Sequence, residues 1–302
     1  MRTSTVRRAG TGAAVAALMA VVAACGGQGG GSGTETETEP ATKAAGASHV
    51  AALQQVGKKT GTAQSARIEG TSTMGGAVSM KQTGTIGWAD GLSGSLTVTY
   101  TGGTMAEALR QGGGDGSVRA RYLKDEYYAD MGEAFAKTVG GKRWIRYAYE
   151  DVARLGGGAG DVLREQVRNS TPEQGVKALL AAGDVRKVGQ EDVRGVSATR
   201  YSGTVDVAEL TARDSALDDR QLAAFKEQLT AAGITTQTVD IWVGEDDLLV
   251  KKTERGESGI GAFDSTVFYS DYGTEVPVEK PPAADTVDFL DVLKRQPGIG
   301  PS

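Results

Sequence analysis

The sequence predicts an α+β fold: one wide, curved antiparallel β-sheet with helices gathered on its concave side. Three observations predict it. Apolar and polar residues alternate in short runs separated by glycine-rich turns. Two stretches carry helix caps and an apolar stripe of helical period. The two patterns come in the order sheet, helices, sheet, helix, sheet. Strands joined by short turns pair antiparallel, because a parallel pair needs a crossover of roughly a dozen residues. Glycine supplies 44 of 302 residues, about twice the usual share, which favours turns and a sheet with room beside it.

Each element has its own signal. Residues 48–57 predict a short helix, with Val50, Leu53 and Val56 on one face. The period then drops to two. Ile86 and Trp88 alternate with Thr85 and Gly87, and Leu96, Val98 and Tyr100 with serine and threonines. Val118, Ala120 and Tyr122 alternate with Arg119 and Arg121, and "EYYADM" and "RWIRYAY" continue the style. A helix is expected over 161–169, through Val162, Leu163, Gln166 and Val167. Another starts at Thr171 as N-cap, with Pro172 first and Gln174 three residues after the cap; Val176, Leu179 and Leu180 form its stripe and Gly183 closes it. After the strand-like "DVRKVGQEDVRGVSATRYSGTVD", Asp218 and Gln221 make a capping box for Leu222, Phe225 and Leu229, ended by Gly233. The last section is again β, with Val239, Ile241 and Val243 on one face and Asp240 and Trp242 on the other.

Ahead of these elements lies "GTGAAVAALMAVVAACGGQGGGSG", which holds the one cysteine, Cys25. Arg2, Arg7 and Arg8 precede a twelve-residue apolar run, the plan of an export signal. Twelve helical residues reach only about 18 Å, short of a bilayer's ~30 Å core. Val22-Ala23-Ala24-Cys25 resembles the lipobox of bacterial lipoprotein precursors. The likeness implies diacylglycerol on Cys25 and cleavage after Ala24. The expected organisation is a signal peptide over 1–24, a flexible Gly/Thr/Glu tether over 25–47 and a single domain over 48–302. Export through the general or the twin-arginine route stays open. The expected location is the extracytoplasmic face of the cell membrane.

Composition removes several functions. The whole chain carries a net charge of −5, and its leader holds three arginines and no acid, so a processed chain is more negative still. That balance excludes nucleic acid as the expected partner. One cysteine forms no intramolecular disulfide. His49 is the one histidine, at the edge of the tether, which leaves a Ser-His-Asp triad or a histidine-rich metal site without material. No G-x-S-x-G, Walker A or G-x-G-x-x-G occurs. The acid pairs Glu150-Asp151, Glu191-Asp192 and Asp246-Asp247 read as turn or strand neighbours pointing apart. The expectation is no enzyme, no cofactor and no metal, and a binding function, which needs only shape and apolar lining.

Tyr127-Tyr128 ahead of Trp144, Gly195 followed by Tyr201 in "VRGVSATRY", and Trp242 before the acidic turn "GEDD" give the chain a family likeness. It resembles the actinobacterial lipoproteins related to LolA/LolB and the LppX/LprG-type carriers. The resemblance implies an unclosed β half-barrel with helices covering its concave face, and a cavity that takes acyl chains of lipids, lipidated proteins or glycolipids. On that reading the partners are the membrane, through Cys25, and a lipid or glycolipid ligand. The expected cavity residues are Ile86, Trp88, Leu96, Val98, Tyr100, Tyr128, Trp144, Trp242 and Phe263. So few large apolar side chains over so many strands would underfill the sheet and leave a void of a few hundred Å³. The alternative is a cell-envelope interaction or regulatory module that binds a protein partner and no small ligand; a carboxylate hydrolase ranks behind both.

Overall fold

The computed structural model describes residues 39–154, 171–210 and 218–295, apart from 181, 183, 232 and 260. The signal sequence, Cys25, the predicted helix over 161–169 and its neighbour's closing Gly183 lie outside the described residues.

Among the described residues the first element is helix α1 (Glu39–Thr62). It is longer at both ends than the sequence pattern predicts, so residues 39–47, expected in the tether, are helical. Leu53 and Val56 are buried, whereas Val50 is exposed. A meander of six strands follows: β1 (Ser65–Met74), β2 (Val78–Gly87), β3 (Ser93–Gly102), β4 (Ser117–Tyr122), β5 (Glu126–Asp130) and β6 (Trp144–Ala148). Short helices α2 (Gly103–Gln111), α3 (Gly132–Ala136) and α4 (Tyr149–Arg154) interrupt or end it. Helix α5 (Pro172–Leu180) leads to β7 (Arg186–Val193) and β8 (Val196–Asp206), and α6 (Asp219–Ala231) to β9 (Thr236–Gly244), β10 (Leu249–Ser258) and β11 (Gly261–Ser270). A 3-10 turn, the short strand β12 (Thr286–Asp288) and α7 (Phe289–Arg295) close the described chain.

The strands form one open, twelve-stranded sheet in the order β12-β6-β5-β4-β3-β2-β1-β11-β10-β9-β8-β7. Two meanders are thus joined at one seam, where β1 pairs antiparallel with β11 from Arg67↔Ser270 to Met74↔Phe263. The pairing is antiparallel as expected except at one edge, where β12 runs parallel to β6. The crossover that permits this is the segment after β11. It passes along one end of the sheet, where Thr274 carbonyl accepts from Ser65 Oγ and Glu279 carbonyl from an Arg121 Nη. Lys280 then pairs with Glu126, and Asp285 accepts from the Arg143 backbone N–H.

Turn chemistry sets the hairpins. Arg194 and Gly195 both have positive φ between Val193 and Val196, which is the mirror-image two-residue turn whose twist suits paired strands. The α6 end is equally local: Gly233 takes φ +52°, and the Ile234 N–H returns to the Leu229 carbonyl.

The inner face of the sheet carries the helices. Val176, Leu179 and Leu180 of α5, Leu53 and Val56 of α1, and Leu222 and Leu229 of α6 pack over Val239, Ile241 and Val243 of β9. Fully burying one such aliphatic side chain stabilises the fold by roughly 1.5–3 kcal/mol. The outer face is held by charge. Asp240 on β9 is only 1% exposed and accepts from Arg200 at 3.1 Å, from Arg255 at 2.8 Å and from the Thr253 hydroxyl at 3.3 Å. Burial would raise its pKa, but the Ser202 and Arg200 hydrogen bonds and the two arginine charges win and hold it below the usual carboxylate value.

A depressed folded-state pKa contributes stability that is present above the unfolded value of about 4 and disappears as pH falls through the folded one. Asp240→Asn should therefore cost about 2 kcal/mol near neutral pH and flatten the acid side of the stability curve, read by urea unfolding from pH 3 to 7. Parallel acid limbs for the two proteins would contradict this.

Candidate ligand cavity

Beside the helix-packed core, the inner face is not filled. A cavity of about 530 Å³ lies over eight contiguous strands, β1–β6 with β11 and β10, within the range of roughly 300–1,000 Å³ typical of small-molecule sites. Ile68, Met80, Ile86, Leu96, Val98 and Tyr100 form its central floor. Met105 and Leu109 of α2 reach it from the side, and Val118, Ala120 and Tyr122 of β4 extend it. Leu96, Val98 and Tyr100 lie on the same face as the packed core yet are only half-buried, because their side chains face the void.

One wall is an aromatic ladder. Tyr122 and Tyr127 are cross-strand partners, as are Tyr127 and Tyr147. Their rings stack with centroids 5.8 and 4.4 Å apart, and Phe289 of α7 extends the stack at 4.7 Å from Tyr147. Burial, helped by the nearby Tyr100 phenol, pushes Tyr122 up to about 12, and burial pushes Tyr147 up to about 12. Burial raises Tyr127 as well, with the Tyr147 and Tyr122 phenols adding to it. The wall is therefore neutral at any physiological pH, and its hydroxyls remain donors.

Of the nine residues predicted for the cavity, the structure brings together Ile86, Leu96, Val98 and Tyr100. The other five do not line it. Trp88 lies just beyond β2, donates from Nε1 to the Gly61 carbonyl of α1 at 3.0 Å and meets Tyr272 edge-on. Phe263 shares the phase of Val267 and Tyr269 but lies over Gly256, near the far end of β11. Tyr128, Trp144 and Trp242 point from the outer face. Tyr128 donates to Glu126 Oε1 at 3.0 Å. Arg121 sits 4.8 Å over the Trp144 ring, and Lys251 sits 3.9 Å over Trp242, whose Nε1 donates to Glu191 at 2.9 Å. These aromatics are dry because cationic side chains cover them, not because they face the interior.

No family model matches the chain. A Streptomyces griseus protein named "Uncharacterized 31.2 kDa protein in rplA-rplJ intergenic region" is 72% identical over 249 residues, 82% of each chain. The Streptomyces coelicolor "Putative lipoprotein SCO4650" is 45% identical over 310 residues, covering 98% of this chain and 99% of its own. The chain belongs to this family of actinobacterial lipoproteins. Among solved structures it is similar to the Mycobacterium tuberculosis lipoprotein LppX, with 12% identity and TM-score 0.48, covering 77% of this chain and 99% of that one. It is also similar to LprF from Mycobacterium bovis, with 12% identity and TM-score 0.47, over 78% and 97%.

Sequence reasoning missed the lipoprotein's tyrosine wall, although the signal was present. In "EYYADM" both tyrosines fit a strand, but Tyr127 shares its phase with Ala129 and Met131, whereas Tyr128 shares its phase with Glu126 and Asp130. In "RWIRYAY", Tyr147 keeps phase with Ile145, and Trp144 with Arg146. It also missed Lys252 and Glu254, the charged residues of the lining.

Tyr127 stacks with Tyr122, Tyr147 and Tyr149, whereas among the described residues Tyr122 stacks with Tyr127 alone. Tyr127→Leu should cost about 2 kcal/mol and Tyr122→Leu about 1 kcal/mol, measured by denaturant midpoint. Equal losses would mean that ring stacking does not hold this wall.

Proposed function

We propose that this lipoprotein is held on the extracytoplasmic face of the cell membrane through Cys25 and binds, and can hand on, a lipid or lipid-like apolar ligand. The observation that carries the reading is the cavity of about 530 Å³ on the inner face of the sheet, flanked by α2 and lined mainly by aliphatic, methionine and tyrosine side chains. Such a face is expensive to leave unfilled by protein, and an acyl chain is its natural complement. The reading includes a curved, unclosed half-barrel. Eight flat strands at about 4.8 Å spacing would spread roughly 34 Å, too wide to enclose one such void, so curvature is what lets β6 and β10 wall it together. It includes no catalytic step: His49 packs edge-on against Tyr201, with ring centroids 6.1 Å apart, outside the lining.

Lipid extraction and native mass spectrometry of protein purified from its own host should recover a bound lipid at about one per chain. Val98 sits mid-floor between Gln82 and Val118, so Val98→Trp should fill the void and lower that yield severalfold. A wild-type protein that carries no lipid and captures none would favour the envelope interaction module instead.

For the anchor, Cys25→Ser should shift the protein from the membrane fraction to an uncleaved or released form. The acyl chains supply about 0.8 kcal/mol per buried CH₂, and the variant lacks them. A variant that stays with membranes after a salt wash would refute lipid attachment at this residue.

A further inference from the structure

The charged residues lining the cavity, Lys252 and Glu254, sit where the sheet pattern calls for apolar side chains. β10 is a central strand, paired with β9 and β11. In register with Lys252 are Ile241 and Val267, and with Glu254 are Val239 and Ser265. Lys252 Nζ and Glu254 Oε2 are 3.0 Å apart, with side chains 16% and 25% exposed. Desolvation pulls the ammonium pKa down, yet the Glu254 carboxylate more than offsets it, so Lys252 stays charged. An ion pair in such surroundings gains little net stability, because desolvation is comparable to the Coulombic attraction. Packing does not demand it either. The Lys252 stem lies so close to Gly175 of α5 that a Cβ there would come within 2.8 Å of Lys252 Cδ; the helix gives up a side chain to house the lysine.

The pair also has unused bonding capacity. An ammonium offers three donors and a carboxylate about four acceptor sites. Among the described residues the two side chains make an ion pair with each other and with no third charged group, and the buried Tyr269 phenol of β11 stands within Coulombic reach of both. Gln82 lies one strand beyond the seam, in the row that runs through Gly70 and Val267 to Lys252. Gly70 carries no side chain, and the Gln82 amide occupies the space beside it, with Nε2 3.0 Å from where a Cβ would stand. Ser265, beside Glu254, completes a short polar lane across an otherwise apolar floor.

We propose that this lane is the headgroup end of the cavity, and that it selects an amphiphile whose polar group has no net charge but both accepts and donates. This rests on the lipid-binding reading above. A lone anion would gain Lys252 and be repelled by Glu254, and a lone cation the reverse. A zwitterionic headgroup places its phosphate on Lys252 and its ammonium on Glu254, so that four charges alternate in sign. The tail then runs over Val98 toward the tyrosine wall.

The test uses the purified full-length chain and displacement of an apolar, environment-sensitive dye by short-chain phosphatidylethanolamine, phosphatidylglycerol and diacylglycerol. The wild type should bind phosphatidylethanolamine at least tenfold tighter than phosphatidylglycerol. Glu254→Gln removes the repulsive carboxylate and should reverse that order. The uncharged double variant Lys252→Met/Glu254→Gln keeps the volume, avoids a lone buried charge and should bind all three within about threefold of one another. If the lipids displace the dye but the wild-type order persists in both variants, the headgroup assignment is overturned and the lipid-binding reading stands. If the wild type binds neither dye nor lipid, both are overturned.

Discussion

The pairing of β1 with β11 is the constraint on which the rest of the molecule depends. It joins strands about two hundred residues apart in the chain, and among the described residues no other ladder pairs β1–β6 with β7–β11. Closing so long a loop costs entropy that local contacts do not repay, so the seam must be reinforced from both faces. On the inner side Ile68 and Tyr269 meet across it, and Ser72 and Ser265 join through their hydroxyls; on the outer side Arg67 pairs with Asp271. The cavity has the same dependence. Its floor comes mainly from β1–β6, and its polar lane from β2, β10 and β11 together, so neither meander alone possesses the site.

The two faces of the sheet obey different rules. Inside, α1, α5 and α6 exclude water from a packed core over one half, and the other half, flanked by α2, holds the cavity. Outside, the strands are stapled by carboxylates buried under cationic side chains: Asp240 by Arg200 and Arg255, Asp130 by Arg119 and Arg143, Glu126 by Arg146 and Lys280. Burial alone would raise the Glu126 pKa, but Lys280, Arg146 and Tyr128 together hold it lowered. The aliphatic stems of those cations shield the large aromatics of that face. Burial therefore does not report which face an aromatic occupies.

This explains what could be read in the sequence. Where a strand had one apolar phase, as in Leu96-Val98-Tyr100 or Val239-Ile241-Val243, the period of two assigned its faces. The starts of α5 at Pro172 and of α6 at Asp219, directly after Thr171 and Asp218, were equally legible. Where both phases carried aromatics, as at Tyr127-Tyr128 and Trp144 to Tyr147, size misled and only the smaller i±2 neighbours discriminated. The run "KKTERGES" had no apolar phase at all, so nothing in it showed that Lys252 and Glu254 face inward. The parallel β12 was illegible because a three-residue strand has too little period, and its position follows from hydrogen bonds spread along residues 274–285.

The clamp at the end of α1 has a mechanical meaning. Trp88 donates to the Gly61 carbonyl, and the Leu249 N–H contacts Thr60 Oγ1, so the helix is fastened to both meanders just before the chain enters β1. Any pull from the N-terminal side thus enters at the middle of the sheet, not at an edge. There β1 is flanked by ladders on both sides, ten residue pairs with β2 and eight with β11. Such a load runs along the strand and must shear many backbone hydrogen bonds together, whereas an edge strand would peel one bond at a time. A domain hung from its N-terminus by this route is loaded in its strongest direction.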